Sequence, residues 1–424
     1  MQSDQRRYLA ALIVQSLQAE IGRTLAAGRE MLILETACAL IKDLGDDEEF
    51  GVASPPDQAL AGASGKQLRR FVEAQETLLV RAPSLQSAYE LSARGTLGTV
   101  FDPQASTTAR LARYLAGTEW VGKSREVSVR RLGSGMSKET YVAEFVTTAG
   151  RPSRLFIRKD SGFSCMFTTV TDEYPLLKFL SAFDLPLPQI IHCERDSSIC
   201  GAPFMLIEPV AGSADQSGWG EQAMRAVAMQ LIEFLARLHA VPLGPILKSP
   251  PAWLNPVHMC RSVRGLRATW EECHFTEPMM AVLLDWLEAN EPPASERPVL
   301  AHGDAGFHNL LIQDGRIQAV LDWETCHLGN PEEDLLVVRP FLERLMPWPD
   351  VVAAYRSHGG QYRDGCNEKF YSLFTLVRIA LSLYNIRAAV REKNPVIDTK
   401  DAYIGSRYAK RVLVEAFKRI VPEA

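Results

Sequence analysis

Apolar residues between 299 and 324 come in short runs separated by polar clusters, the pattern of a strand, a loop, a β-hairpin and a polar exit. The runs Asn309 to Ile312 and Ile317 to Leu321 flank Asp314-Gly315, the dipeptide most prone to a tight hairpin turn. Upstream, Leu9, Leu12, Ile13, Leu17 and Ile21 recur at helical spacing, as do Leu32, Leu34, Ala37, Leu40 and Ile41 beyond Gly28, which predicts a helical hairpin. Residues 45–65 are acidic and then rich in Pro, Ala and Gly, a loop or linker, with further helices predicted over 66–80 and 106–115. From about Val127 the pattern turns β-like. Arg130 to Phe145 predicts strand, glycine turn and strand, Leu155 to Lys159 a strand, Glu173 to Leu180 a helix, and Phe204 to Ile207 a strand leading to Pro209 and Gly212. A helix over 229–239 is stopped by Pro242, and amphipathic helices follow at 370–390 and 403–421. There is no internal repeat and no low-complexity segment.

Composition narrows the class. A net charge of -5 over 424 residues, 23% of them charged, carries no basic excess for nucleic acid or an anionic membrane, and neither partner is expected. The eight cysteines show no CxxC spacing, so they read as reduced, mostly buried thiols of a cytoplasmic protein. The N-terminus, where Gln15, Gln18 and Glu20 interrupt the apolar run, reads as an amphipathic helix rather than a signal peptide. No run reaches the roughly 18 apolar residues of a membrane span, since the stretch after Phe370 contains Arg378.

Chemistry concentrates at the hairpin, which is expected to bring Asp304, Asn309 and Asp322 together. Two carboxylates and an amide oxygen are hard ligands, suited to Mg²⁺ beside a hydroxyl nucleophile. His302-Gly303-Asp304, four residues, then Asn309 has the spacing of the protein-kinase catalytic loop, with Asp322 where kinases carry a Mg²⁺ ligand. The plainer alternative is that the aspartates are turn or cap residues, Asn309 a satisfied amide and His302 a packed imidazole. Gly133 and Gly135 lack Cβ atoms and would let backbone N–H groups approach phosphate, with Ser134 and Ser137 adding hydroxyl donors; a plain hairpin turn is the alternative.

These residues resemble the Brenner motif of the aminoglycoside phosphotransferase and choline kinase superfamily. Leu321-Asp322-Trp323-Glu324, Leu328 to Pro331 and Asp334-Leu335 are similar to its acyl-CoA-dehydrogenase-associated branch. The resemblance implies an α+β, bilobal protein-kinase-like fold: a helical N-terminal extension of unknown role (1–120), a β-rich nucleotide-binding lobe (125–208) and a helical lobe with the catalytic loop and acceptor site (209–424). It implies ATP and Mg²⁺ as cofactors and a small-molecule hydroxyl as acceptor, with Asp304 as base and Asn309 and Asp322 on the metal. Arg158 takes the position of the kinase lysine, with Lys159 on the opposite face as the fallback, and Glu173 matches the acid that pairs with this cation. A first-turn Glu favoured by the helix dipole is the other reading of Glu173. Ile207 to Val210, with Glu208, corresponds to the hinge that lines the base. Asp334 could hold the catalytic loop or cap a helix, and His239 reads as structural. The segment Ser249 to Asn290 matches the acceptor-binding insertion, although its aromatic spacing also suits core packing. No Ala-Pro-Glu anchor follows Asp322, which argues against a protein acceptor. The branch suggests a hydroxyacyl thioester or another apolar alcohol. The alternative function is a catalytically silent nucleotide-binding regulator or scaffold with the same fold.

Overall fold

The computed structural model describes residues 103–421 apart from 123–125, 135–136, 162–163, 165–167, 245–247, 249–253, 255–261, 274–276, 294–296, 364, 366 and 392–398. The helices expected within 1–102, the linker at 45–65 and Gly135 lie outside the described residues.

A five-stranded antiparallel sheet is built from β1 (Val127–Ser134), β2 (Lys138–Val146), β3 (Pro152–Asp160), β4 (Ile190–Glu194) and β5 (Phe204–Ile207), in the order β1-β2-β3-β5-β4. Alternation along the strands gives the sheet two apolar faces. On one, Tyr141, Ala143, Ile157 and Phe204 pack against Leu111 and Leu115 of α1 (Pro103–Ala116). The Tyr114 hydroxyl ties that helix to the far edge by donating to Glu194 Oε2 at 2.6 Å. On the other face, register places Thr140, Arg158 and Met205 side by side across β2, β3 and β5.

Helix α2 (Val170–Leu180) covers this second face with Val170, Leu176, Leu177 and Leu180. It starts three residues before the expected Glu173. The reason is local: the Thr169 N–H donates to Asp172 Oδ2 at 2.9 Å, half of a capping box that closes the first turn. Glu173 thereby sits inside the helix and turns inward, buried.

Beyond β5 the chain is mainly helical: α3 (Glu221–His239), α4 (Val263–Cys273), α5 (Pro278–Ala289), α6 (Pro331–Leu342), α7 (Trp348–Ser357), α8 (Glu368–Arg391) and α9 (Thr399–Ile420). Two apolar clusters hold these helices, one centred on α3, α6 and α7, the other on α4, α5, α8 and α9. Trp270 belongs to the second, edge-on to Tyr384 at 5.7 Å, so this aromatic of the 249–290 segment is core packing; Trp253, His258 and His274 are outside the described residues. Between the helices lie β6 (Val299–Ala301) paired with β9 (His327–Gly329), and the expected hairpin, β7 (Leu310–Gln313) with β8 (Arg316–Val320). Asp314 and Gly315 both have positive φ, 51° and 73°, the turn whose twist matches the strands it joins. Among the described residues, no helix is long and apolar enough to cross a membrane, and Cys193 and Cys200 are free thiols.

Candidate active site

The loop from His302 to Asn309 joins β6 to β7 and is held from below by buried polar groups. Asp334, in the first turn of α6, accepts from His302 N–H and Gly303 N–H, each at 2.7 Å, and lies 3.0 Å from His239 Nε2. His239 in turn meets the Tyr355 hydroxyl at 2.6 Å through Nδ1. Burial would raise the Asp334 carboxyl, but the hydrogen bond and charge of His239 and the Gly303 backbone donor outweigh it and hold the group down at about 2. Arg378 of α8 donates to Gly303 O and, at 3.2 Å, to Glu333 Oε1, which clamps the same turn from the other side. Gly303 has φ 79°, and a Cβ there would meet Thr325 O at 2.9 Å. Glycine is thus required on two counts.

His302 is fully buried. Its Nδ1 accepts from Asp304 N–H at 3.2 Å and its Nε2 lies 3.1 Å from Leu321 O, so the ring proton belongs on Nε2. Burial pushes its pKa down, against the pull of Asp334, Asp304 and Asp322, and the ring is a neutral strut between the two ends of the hairpin. Asn309 Nδ2 donates to Asp304 O at 2.9 Å and Oδ2 at 3.1 Å, while Asn309 O accepts from Leu321 N–H at 2.7 Å. The His308 Nε2–H donates to the same Oδ2 at 3.3 Å, and this bond raises the imidazole pKa. Asp304 and Asn309 are thus bonded to each other, and the Asn309 backbone is bonded to Leu321, the residue before Asp322. Asp322 itself has φ 64° and ψ 67°, the left-handed region that Asp tolerates better than most residues.

The sheet supplies the opposing wall. Arg158 donates to Asp322 Oδ1, and its Nε lies 3.8 Å from Glu173 Oε2. Burial would lower the guanidinium, but Glu173 and Asp322 raise it further above its usual range, and Arg158 holds Asp322 below the carboxylate range against burial. Lys159 points through the other face to Glu139 Oε2 at 2.9 Å, as strand alternation requires. Ser137 is buried rather than displayed, with its hydroxyl 3.4 Å from Glu324 Oε1, and Gly133 and Ser134 end β1 beside it in sequence. Glu208 is exposed at the strand exit; its N–H is taken by Gln189 O at 2.9 Å, so this amide is not available to a base.

Two further groups have no counterpart in the sequence reading of the site. Lys138 is buried, donates to Thr168 O at 2.6 Å and lies 3.6 to 3.7 Å from Asp160, Glu173 and Glu324. Burial, joined by the charge of Asp322, lifts the Glu324 carboxyl to about 7 in spite of Lys138. The signal for both was a charged residue at an inward strand or turn position, without any sequence clue to its partners. Between sheet and hairpin opens a cavity of about 300 Å³, lined by Thr140, Arg158, Met205, Ile207, Leu321 and Asp322 among others. Its apolar body and charged end suit an aromatic base attached to phosphates.

Among the described residues, no three His, Cys, Asp or Glu side chains form a metal set. Asp322 lines the charged end, and Asn309, whose amide nitrogen is spent on Asp304, could add its amide oxygen as a second donor. An all-oxygen set with one carboxylate fits Mg²⁺, which completes its shell with phosphate oxygens and water, and does not fit a zinc site.

A family model described as the phosphotransferase enzyme family matches residues 128–367, more than half of the chain. The chain is 28% identical to acyl-CoA dehydrogenase family member 11 of Gallus gallus over 225 residues, 51% of this chain and 28% of that protein. It is 27% identical to acyl-CoA dehydrogenase family member 10 of Mus musculus over 234 residues, 53% of this chain and 21% of that protein. It thus spans less than a third of the length of these relatives. A solved structure of a candidate aminoglycoside phosphotransferase from Ralstonia eutropha has a TM-score of 0.54 at 20% identity, covering 73% of this chain and 98% of that one. That likeness is one of fold, and the α+β, protein-kinase-like fold expected from the catalytic motif is the fold found.

Proposed function

The chain belongs to the phosphotransferase enzyme family, and from that premise we propose that it is an ATP-dependent kinase acting with Mg²⁺ on a hydroxyl of a small molecule. One observation carries the reading: Asp304 is pinned by Asn309 in the loop that leads into the β7-β8 hairpin, and Asp322 at the hairpin's exit, paired with Arg158, lines a cavity of about 300 Å³.

In this reading residues 125–208 form the nucleotide lobe and 209–424 the lobe that holds acceptor and catalytic loop. The cavity walls enclose the base near Glu208, and the backbone N–H groups of Gly133 and Ser134 at the end of β1 approach the phosphates. Arg158, steadied by Glu173, orients the phosphates, with a fork that pairs a carboxylate and a phosphate at once. Asn309 and Asp322 would hold Mg²⁺, which would neutralise charge on the transferring group. Asp304 orients the acceptor hydroxyl and takes its proton on Oδ1 as the acceptor oxygen bonds to the γ-phosphorus and the bond to the ADP oxygen breaks. The names of the relatives point to an acceptor built on an acyl thioester bearing a hydroxyl, or another apolar alcohol.

Magnesium-dependent ATP consumption across a panel of alcohols and hydroxyacyl thioesters tests this. Asp304→Asn is expected to lower kcat by about 10²- to 10⁴-fold with nucleotide affinity retained; wild-type turnover in that variant would remove Asp304 from the role. One observation favours a second reading, a silent nucleotide-binding protein: Arg158 already occupies an oxygen of the Asp322 carboxylate that the metal needs. Tight ATP binding without turnover across the panel would select it.

A further inference from the structure

His308 stands directly before Asn309, and its Nε2–H donates to Asp304 Oδ2 at 3.3 Å. The same oxygen accepts from Asn309 Nδ2 at 3.1 Å. Two donors on one carboxylate oxygen fix the rotation of the group and leave Oδ1 for a hydroxyl. The imidazole is 62% exposed, so no packing on its outer side sets its direction. What lies beneath it does. A Cβ on Gly306 would stand 2.6 Å from both Cε1 and Nδ1 of the His308 ring, well inside contact distance. The backbone of Gly306 is ordinary extended chain, φ -73° and ψ 162°, which any residue adopts. Its conformation does not call for glycine; the ring above it does.

We propose that His308 is a positioning residue for the phosphoryl transfer, holding Oδ1 of Asp304 toward the acceptor hydroxyl, and that Gly306 provides the gap the imidazole needs to reach Asp304. The inference rests on the reading of Asp304 as the base. It is specific to this loop, because it requires a ring at 308 and no side chain at 306 together.

A double-mutant cycle separates this from a general structural role. His308→Ala and Gly306→Ala are each expected to lower kcat by about 10- to 100-fold, the scale of a small misplacement of a reacting group, with the KM for ATP within about twofold of wild type. In the His308→Ala background the Gly306→Ala change should have no further effect, since the obstacle is gone. His308→Gln, which keeps a donor at the same reach, should recover part of the loss. Equal melting temperatures are expected throughout, given the exposure of the ring. Additive effects of the two alanine changes, or an unchanged kcat in His308→Ala, would overturn the proposal. A crystal structure of Gly306→Ala without ligands needs no turnover: the ring should be displaced beyond hydrogen-bonding distance of Asp304. An imidazole still bonded there overturns the proposal, whereas a wild-type protein inert toward every acceptor, with the ring displaced as expected, overturns only the phosphotransferase reading.

Discussion

The guanidinium of Arg158, on β3, donates to the carboxylate of Asp322, 164 residues further along the chain at the exit of the β7-β8 hairpin. Glu173 of α2 faces the same guanidinium, so one cation serves two carboxylates from two other elements. Together with Lys138 and Glu324, the pair is an ionic link between the sheet and the segment that follows the β7-β8 hairpin.

Replacing Arg158 by Met leaves both carboxylates without that cation, and breaking a largely buried pair from one side typically costs about 3 kcal/mol. The urea midpoint should fall and ATP affinity with it. Arg158→Lys keeps a point charge but loses the fork that spans two partners, so it should lie between Met and wild type in both measurements. A Met variant with an unchanged midpoint would mean that the pair contributes nothing to stability.

Gly212 marks where the strand exit crosses the hairpin. Ser213 and Ile312 exchange two backbone hydrogen bonds of 3.0 Å, and a Cβ on Gly212 would lie 2.9 Å from Ile312 O at a φ of 118°. Gly212→Ala should therefore destabilise the fold by about 1 to 3 kcal/mol, from backbone strain and the forced separation of the two chains. Chemical denaturation checks this; the neighbouring exposed Ala211→Gly is the control, with a change expected within about 0.5 kcal/mol.

The parts of this architecture that were legible in the sequence are those specified locally. Asp314-Gly315 between two apolar runs is a complete hairpin signal, and the spacing from Asp304 to Asn309 needs no tertiary knowledge. Strand alternation alone put Arg158 and Lys159 on opposite faces. The start of α2 was written in Thr169 and Asp172 but was obscured by the attention Glu173 attracts. Lys138 was not legible, because its partners Asp160, Glu173 and Glu324 are separated along the chain and only the fold assembles them. Arg378 was hidden for a different reason: its partner at Gly303 is a backbone carbonyl, which leaves no mark in the sequence.

Acid stability should depend on Asp334. Its carboxyl titrates at about 2 in the folded protein, below the ordinary value of 3.8, so the folded state binds this proton less readily than the unfolded chain. The resulting stabilisation is fully present above about pH 4 and is lost as pH falls toward 2, and amounts to about 2 kcal/mol. Asp334→Asn should lose stability at pH 7 because His302, Gly303 and His239 face a weaker acceptor, and its unfolding free energy should fall less steeply between pH 5 and pH 2 than that of wild type. Parallel pH profiles for the two proteins would assign the acid sensitivity to other groups.

Lys138 gives the most demanding case, because its ammonium stands among three carboxylates and yet makes its short hydrogen bond to a carbonyl, Thr168 O at 2.6 Å. None of the three carboxylates is closer than 3.6 Å, so their attraction to Lys138 is one of charge rather than of directed bonds. Lys138→Met keeps the length of the chain and removes the charge. Asp160, Glu173 and Glu324 are then left without that ammonium, Glu173 keeping Arg158 at 3.8 Å, a loss of about 3 to 5 kcal/mol. Above pH 7, where Glu324 is charged, the companion variant Lys138→Met with Glu324→Gln removes one charge of each sign and should recover part of that loss, as expected for two groups that interact directly. If the double variant is less stable than Lys138→Met by the full effect of Glu324→Gln alone, the two side chains do not interact, and Lys138 acts through Thr168 and its own packing.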